Sequence, residues 1–286
     1  MSEGTLAALD IGGTKIAAAL ADHDGTVLSR GRVPTPAGGG DAVLAAASAL
    51  LAGLAGPGGL AGRGVRAVGV GAPGVIDPAT GHVVSATDVL PGWAGTPVRE
   101  TLAELTGLPV AVVNDVRAMA YGEARAGAGT GFHRVLHVSV GTGVGGALTT
   151  GGDLDHGAHG TAGELAHLLV PERGPVPCGC GRRDHLEAVA SGPAIAATGD
   201  ARRAGALLGR ALAGLVAVLD PDAVVIGGGV AQIGPPYLDA VAAAFRDEAL
   251  PPLRATPIVP ARLGTDAPLV GAALLAASAP PAGSAR

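Results

Sequence analysis

The feature that most limits the fold of this chain is a device that occurs twice. An apolar strand, Thr5 to Leu9, ends at Asp10 and passes through Ile-Gly-Gly-Thr-Lys into a second strand, Ile16 to Ala21. Roughly 130 residues later, Val135 to Val140 runs through Gly141-Thr142-Gly143-Val144-Gly145-Gly146 into a strand-like segment that ends at Thr149. A strand, glycine turn, strand order differs from a Walker A loop or a dinucleotide fingerprint, both of which run from strand into helix. Either turn alone is explained by a plain hairpin. Together they predict two like domains that grip the phosphates of one nucleotide, with amides freed by Gly12 and Gly13 and the Thr14 hydroxyl as donors. A third cluster, Gly227-Gly228-Gly229, follows the apolar strand Ala223 to Ile226 and precedes a helix, where a flat ring or a ribose can approach the backbone.

The chain is long enough for such a pair: 286 residues, 48% hydrophobic, allow two domains with a core in each. A net charge of −5 with no basic cluster, and 2% aromatic residues, remove the electrostatic footprint and the stacking platforms of a nucleic-acid binder. The abundance of Ala, Gly, Arg and Pro, with Lys15 the single lysine, reads as genomic base bias. Met-Ser-Glu-Gly-Thr has neither a positive n-region nor an apolar signal core, so export is not expected. Two cysteines two positions apart make a poor disulfide and suit a reducing cytoplasm. Ala42 to Gly62 carries no charge, but it is mostly Ala and Gly and is broken at Gly56-Pro57-Gly58-Gly59, so it predicts a helix of about four turns packed on a sheet rather than a membrane span.

Other stretches offer chemistry. The strand Val65 to Val70 ends in Gly71-Ala72-Pro73-Gly74, a loop with little side chain that leaves room for a ligand. The strand Val110 to Val113 delivers Asn114-Asp115 at its carboxyl end, where ligands bind in open α/β sheets. Asp115 is read equally well as the N-cap of the helix that begins near Val116. From Gly163 to Glu187 the chain reads Gly-Glu-Leu-Ala-His167, ten residues, Cys178-Gly-Cys180-Gly, then His185 and Glu187. His167, Cys178, Cys180 and His185 fall within nineteen residues and predict a closed tetrahedral zinc site. The plainer alternative is two small buried residues and two unrelated histidines. Zinc would here shape one loop of a protein that folds mainly by apolar burial.

Asp10-Ile-Gly-Gly-Thr14, Ala72-Pro73-Gly74, Asn114-Asp115, Gly141-Thr142-Gly143, Gly163-Glu164-x-x-His167, Cys178-x-Cys180-Gly181, Glu187 and Gly227-Gly228-Gly229 occur in the order of the ROK family (repressors, open reading frames and kinases). The chain resembles its sugar kinases, the bacterial glucokinases and the N-acetylmannosamine or N-acetylglucosamine kinases, from about residue 5 to residue 276. The resemblance implies the two-domain α/β fold of the actin and hexokinase superfamily (ribonuclease H-like), with an active-site cleft between the domains. Its expected boundaries are 1–116 plus 265–286 for a smaller N-terminal domain and 117–264 for a larger C-terminal one carrying the zinc loop. The resemblance further implies ATP, magnesium and structural zinc, a sugar substrate, a homodimer, and no nucleic-acid or membrane partner. Asp115 would be the general base. Gly74, Asn114, Glu164, His167 and Glu187 would hold the sugar. Gly12, Gly13, Thr14, Lys15, Gly141, Thr142 and Gly143 would line the ATP phosphates, Asp10 would sit near magnesium, and Gly227, Gly228 and Gly229 would lie against adenosine.

Three positions and one span depart from the family pattern. His185 stands for a third cysteine, Asp184 for a glycine beside it and Ala166 for the glycine before His167, and the span from Ser191 to about Ala204 is short. A histidine serves zinc as well as a thiolate, so the site is expected to survive as two cysteines and two histidines. Glu164 matches the family glucokinases, which points to glucose ahead of N-acetylmannosamine. Family repressors carry an N-terminal helix-turn-helix, whereas the first strand here begins near residue 5, so a DNA-binding regulator is not expected. A sugar-binding protein without catalysis is the remaining alternative of another class, against which the retained Asp10, Asp115 and phosphate turns weigh.

Overall fold

The computed structural model describes residues 4–87, 90–170 and 176–280. Residues 1–3, part of the segment in which no export signal was expected, and 281–286, the end of the expected N-terminal domain, lie outside the described residues. The chain divides into two compact units: Met1–Ala126 with His156–Thr161 and Asp266–Arg286, and Gly127–Asp155 with Ala162–Thr265.

In the first unit, β1 (Thr5–Ile11), β2 (Lys15–Ala21) and β3 (Val27–Pro34) form an antiparallel meander. Then α1 (Gly39–Ala55) and α2 (Gly59–Gly62) lead to β4 (Val65–Ala72), parallel to β1. A small ribbon of β5 (Val75–Ile76) and β6 (Val83–Ser85) and the helix α3 (Val98–Thr106) precede β7 (Val110–Asn114), parallel to β4, and α4 (Asp115–Ala126) follows. The sheet order is β3-β2-β1-β4-β7. Its interior strands are near-continuous apolar runs because both faces are covered, whereas β3 at the edge alternates half-buried and exposed residues.

The second unit repeats this plan. Strands β8 (Arg134–Val140), β9 (Val144–Thr150) and β10 (Asp153–Asp155) form the meander. Helices α5 (Leu186–Ala190), α6 (Gly192–Thr198) and α7 (Ala201–Leu219) lead to β11 (Ala223–Gly227), parallel to β8. Helix α8 (Pro235–Glu248) then leads to β12 (Ile258–Pro260), parallel to β11, giving the order β10-β9-β8-β11-β12. The last helix, α9 (Ala267–Ala276), belongs to the first unit.

The division differs from the expected one in three ways. Helix α4 belongs to the first unit because it packs along α9, so the boundary falls after 126 and not at 116. Residues 156–161 also join the first unit, where a Cβ on Gly160 would stand 3.0 Å from the Ile76 carbonyl oxygen. The first unit is, in consequence, the larger of the two.

The uncharged stretch near α1 is, by length and composition alone, apolar enough to cross a membrane. Its buried residues Val43, Leu44, Ala47, Leu51 and Ala55 form one stripe packed in the first unit's core, and the helix stops at Gly56, before Pro57. That is the packed helix the sequence predicts.

Part of the glycine content is structural rather than a trace of base bias. A Cβ on Gly69 would lie 1.7 Å from the Ala272 carbonyl oxygen, and one on Gly271 would lie 1.7 Å from that of Ala118, so α9 meets β4 and α4 backbone to backbone. In the second unit Gly209 gives α8 the same access to α7, with a Cβ only 2.3 Å from the Val241 oxygen. Gly214, on the exposed side of α7, has nothing within 4 Å. Gly271→Ala is therefore expected to destabilise by about 1–3 kcal/mol or more, through overpacking. Gly214→Ala is expected to stabilise by about 0.5–1 kcal/mol, through lost unfolded-state freedom. Denaturant melts of the two variants check the opposite signs.

Candidate active site

Parallel pairing sets the carboxyl ends of β1, β4 and β7 side by side: Asp10 is level with Gly71, and Gly71 with Val113. Just beyond, each strand enters one of the predicted loops. The first turn closes when the Gly12 N–H donates to the Lys15 carbonyl at 2.9 Å, and the Thr35 hydroxyl donates to the Gly12 carbonyl at 2.6 Å. This corrects the expectation that Gly12 frees its amide. The donors left to the turn are those of Gly13 and Thr14, with exposed Lys15 opening β2. Burial pushes the Asp10 carboxyl up to about 6, with Lys15 pulling the other way.

At the end of β4, Gly74 has φ 94°, and a Cβ there would lie 2.4 Å from the Ser85 carbonyl oxygen, so only glycine fits. The loop is held from two sides. The buried Trp93 donates from Nε1 to the Pro73 carbonyl at 2.9 Å, and Asn114 donates from Nδ2 to the Gly74 carbonyl at 3.0 Å. Asn114 also caps α4, its Oδ1 accepting from the Val116 N–H at 2.9 Å and the Arg117 N–H at 3.3 Å. Asp115 Oδ1 accepts from Val116 N–H too, at 2.9 Å, but the cap does not depend on it. Asn114, expected on the sugar, thus has three of its hydrogen bonds in the framework.

In the second unit β8 and β11 run parallel, with Ser139 level with Gly227, so the turn Gly141–Gly143 and the cluster Gly227–Gly229 lie at one end of the sheet. The turn is closed by the Gly141 N–H donating to the Gly143 carbonyl at 2.8 Å, and is held from outside by the Gly192 N–H donating to the Gly141 carbonyl at 2.8 Å. Thr142 is exposed. Gly228 has φ 86°, and a Cβ there would lie 2.3 Å from the Val140 carbonyl oxygen, so its close neighbour is β8. The ring or ribose expected against all three glycines has open space at Gly229, which has nothing within 4 Å.

Gly163, with φ 86°, lets its loop lie on β9, where a Cβ would be 2.7 Å from Ala147 Cα. Glu164 and His167 follow, both exposed, while Ala166 between them is buried. The predicted metal ligands come together: one ligand atom from each of His167, Cys178, Cys180 and His185 lies within 4.8 Å of all the others. The Nδ1 atoms of the two histidines are 3.3 Å apart, and Cys180 Sγ is 3.3 Å from His185 Nδ1. Nitrogens about 2.0–2.1 Å from a tetrahedral centre stand about 3.3 Å apart, so the donor set fits a zinc-sized ion. Burial raises the Cys178 thiol, so a cation is what would favour its thiolate. Asp184 takes the left-handed conformation, φ 60°, at a position where the family pattern has glycine. Its Oδ1 accepts from the Val176 N–H at 3.0 Å, a local bond of the kind that lets Asp adopt it.

A family model described as the ROK family matches residues 6–203 and 196–279. The chain belongs to the ROK family. Among its ROK relatives, the glucokinase of Halalkalibacterium halodurans is 33% identical, over 95% of this chain and 94% of that protein. The N-acetylmannosamine kinase of Shigella flexneri is 35% identical, over 95% and 98%. The crystal structure of a ROK family glucokinase from Streptomyces griseus, in complex with glucose and AMPPNP, matches with a TM-score of 0.83 and 33% identity, over 96% of this chain and all of that one. The fold is thus the actin and hexokinase-like fold of the ROK kinases.

Three supporting residues escaped the sequence reading. Trp93 is the single tryptophan, which was the one available signal. Thr35 and Gly192 act through hydrogen bonds that only the folded register brings about. The Asp10 shift has a measurable sign. Its folded pKa of about 6 exceeds the ordinary 3.8, so the native state binds more protons in that window and stability falls as pH rises from 4 to above 6. Asp10→Asn should melt higher than the wild type at pH 8, by up to about 3 kcal/mol, with the difference closing near pH 4. Equal melting at both pH values would show that the carboxylate is not strained by burial.

Proposed function

We propose that this chain is an ATP-dependent hexose kinase that transfers the γ-phosphoryl group to the 6-hydroxyl of glucose. The observation that carries the reading is Asp115 in the first turn of α4, at the carboxyl end of β7, with the cap supplied by Asn114 beside it. A sugar hydroxyl is a poor nucleophile, and phosphoryl transfer asks the protein for in-line positioning, charge stabilisation and a carboxylate that accepts the proton. Asp115 takes that proton. Gly74, Asn114, Glu164, His167 and Glu187 hold the sugar; Gly13, Thr14, Lys15, Thr142 and Gly143 receive the phosphates, and Gly12 and Gly141, whose N–H groups close the two turns, shape them. Magnesium, when bound with the nucleotide beside Asp10, supplies neutralising charge. The adenosine lies against the Gly227–Gly229 cluster at Gly229, where the space is open, while Gly228 packs on Val140. The Streptomyces griseus glucokinase, seen with glucose and AMPPNP, supports extending both ligands to this chain.

The cluster of His167, Cys178, Cys180 and His185 is read as a structural zinc site, and the protein as a homodimer. A zinc ligand through Nδ1 leaves the other ring nitrogen of His167 for a sugar hydroxyl, in a fixed tautomer. The substrate reading rests on Glu164, an exposed carboxylate able to accept from two hydroxyls at once. N-acetylmannosamine is the second candidate, on the strength of the Shigella flexneri relative.

A coupled ADP-release assay across a sugar panel tests the activity. Glucose should give the higher kcat/KM, and Asp115→Asn should lose about 10²- to 10⁴-fold in kcat while still binding sugar. A tenfold advantage for N-acetylmannosamine, about 1.4 kcal/mol of transition-state binding, would reverse the substrate order. Near-normal turnover in the variant would remove Asp115 as the base. Metal analysis should find one zinc per chain, and Cys178→Ser should lose it with a raised sugar KM. Zinc-free protein, with Cys178→Ser matching the wild type, would sink the metal site.

A further inference from the structure

Glu187 stands two residues past a cluster ligand, His185, yet its carboxylate is applied to the other end of the unit's chemistry. Oε2 accepts from the Val144 N–H at 3.1 Å, at the exit of the Gly141–Gly143 turn. A Cβ on Gly143 would lie 2.6 Å from the same oxygen, so the carboxylate rests directly against the turn's backbone. Oε1 is 3.9 Å from Cys178 Sγ. The main chain of Glu187 is fixed as well: its N–H donates to the Ala166 carbonyl at 3.0 Å, and its carbonyl accepts from the Ser191 N–H at 3.2 Å. Main chain and carboxylate are thus both held, the one by Ala166 and Ser191, the other by the Val144 N–H. With Gly192 anchoring Gly141 at the turn's entry, the segment 187–192 grips both of its ends.

We propose that Glu187 is a positioning residue for the phosphate turn, holding Gly141–Val144 in the conformation that receives the donor nucleotide. This is a role apart from contact with sugar, and it rests on the reading of that turn as a phosphate site. It explains why position 143 has no side chain, although its backbone conformation would admit alanine.

The test is calorimetric titration of magnesium AMPPNP into sugar-free protein, where sugar contacts cannot contribute. Glu187→Ala should weaken binding about tenfold or more, whereas Glu187→Gln, whose amide oxygen still accepts from Val144, should stay within about threefold. Gly143→Ala should weaken binding alone but add little on Glu187→Ala, where the crowded oxygen is gone, so the two effects should be non-additive. Wild-type affinity in Glu187→Ala, or additive losses in the double variant, would overturn the inference. Thr142→Asp, which sets a carboxylate among the phosphates, separates the two readings. If it weakens AMPPNP while Glu187→Ala does not, the strut fails and the phosphate turn stands; if it leaves AMPPNP unaffected, both fall.

Discussion

The constraint on which the rest depends is the pair of parallel steps in each sheet. A strand can pair parallel to its predecessor only through a crossover, and the crossovers of this chain are helices laid on the sheet faces. Once β4 and β7 follow β1 in parallel, their carboxyl ends fall level, and whatever residues come next are gathered on one ledge. The same step from β8 to β11 sets the second glycine turn beside the third glycine cluster. The candidate site is thus assembled by register, with no single loop long enough to form it.

What was legible in the sequence is what repeats or is chemically unusual. The two glycine turns disclosed two like sheets, and both cysteines with two histidines in one short span disclosed the cluster. Division of labour was not legible. Asn114 and Asp115 are adjacent, but which of them caps the helix depends on backbone amides and on a carbonyl forty residues away in sequence. The contact of Glu187 with the phosphate turn was not legible either, because its partner, the Val144 amide, lies 43 residues upstream. Gly228 was read as room for a ligand, and in the fold its space is taken by the backbone of Val140. The boundary near 116 was missed for the same reason: only α9, far along the chain, shows where α4 belongs.

Composition carried more meaning than its apparent origin. A coding bias can supply glycine and alanine in quantity, but it does not choose positions 69, 209 and 271, where a methyl group would strike a carbonyl. In this protein short side chains let helices settle close to their neighbours, and the cores are correspondingly thin in aromatic residues. Trp93, Tyr237 and Phe245 are the largest fully buried side chains.

The return of α9 to the first unit sets an order of events during synthesis. Everything from Gly127 to Asp155 and from Ala162 to Thr265 leaves the ribosome before α9 does, so the second unit has all of its strands while the first still lacks the helix that covers β1 and β4. Until then the apolar faces of Ala8, Ala19 and Ala67 stand open. The portion made first is the portion finished last, and the nascent chain must keep that surface from other proteins for the time needed to translate an entire second domain.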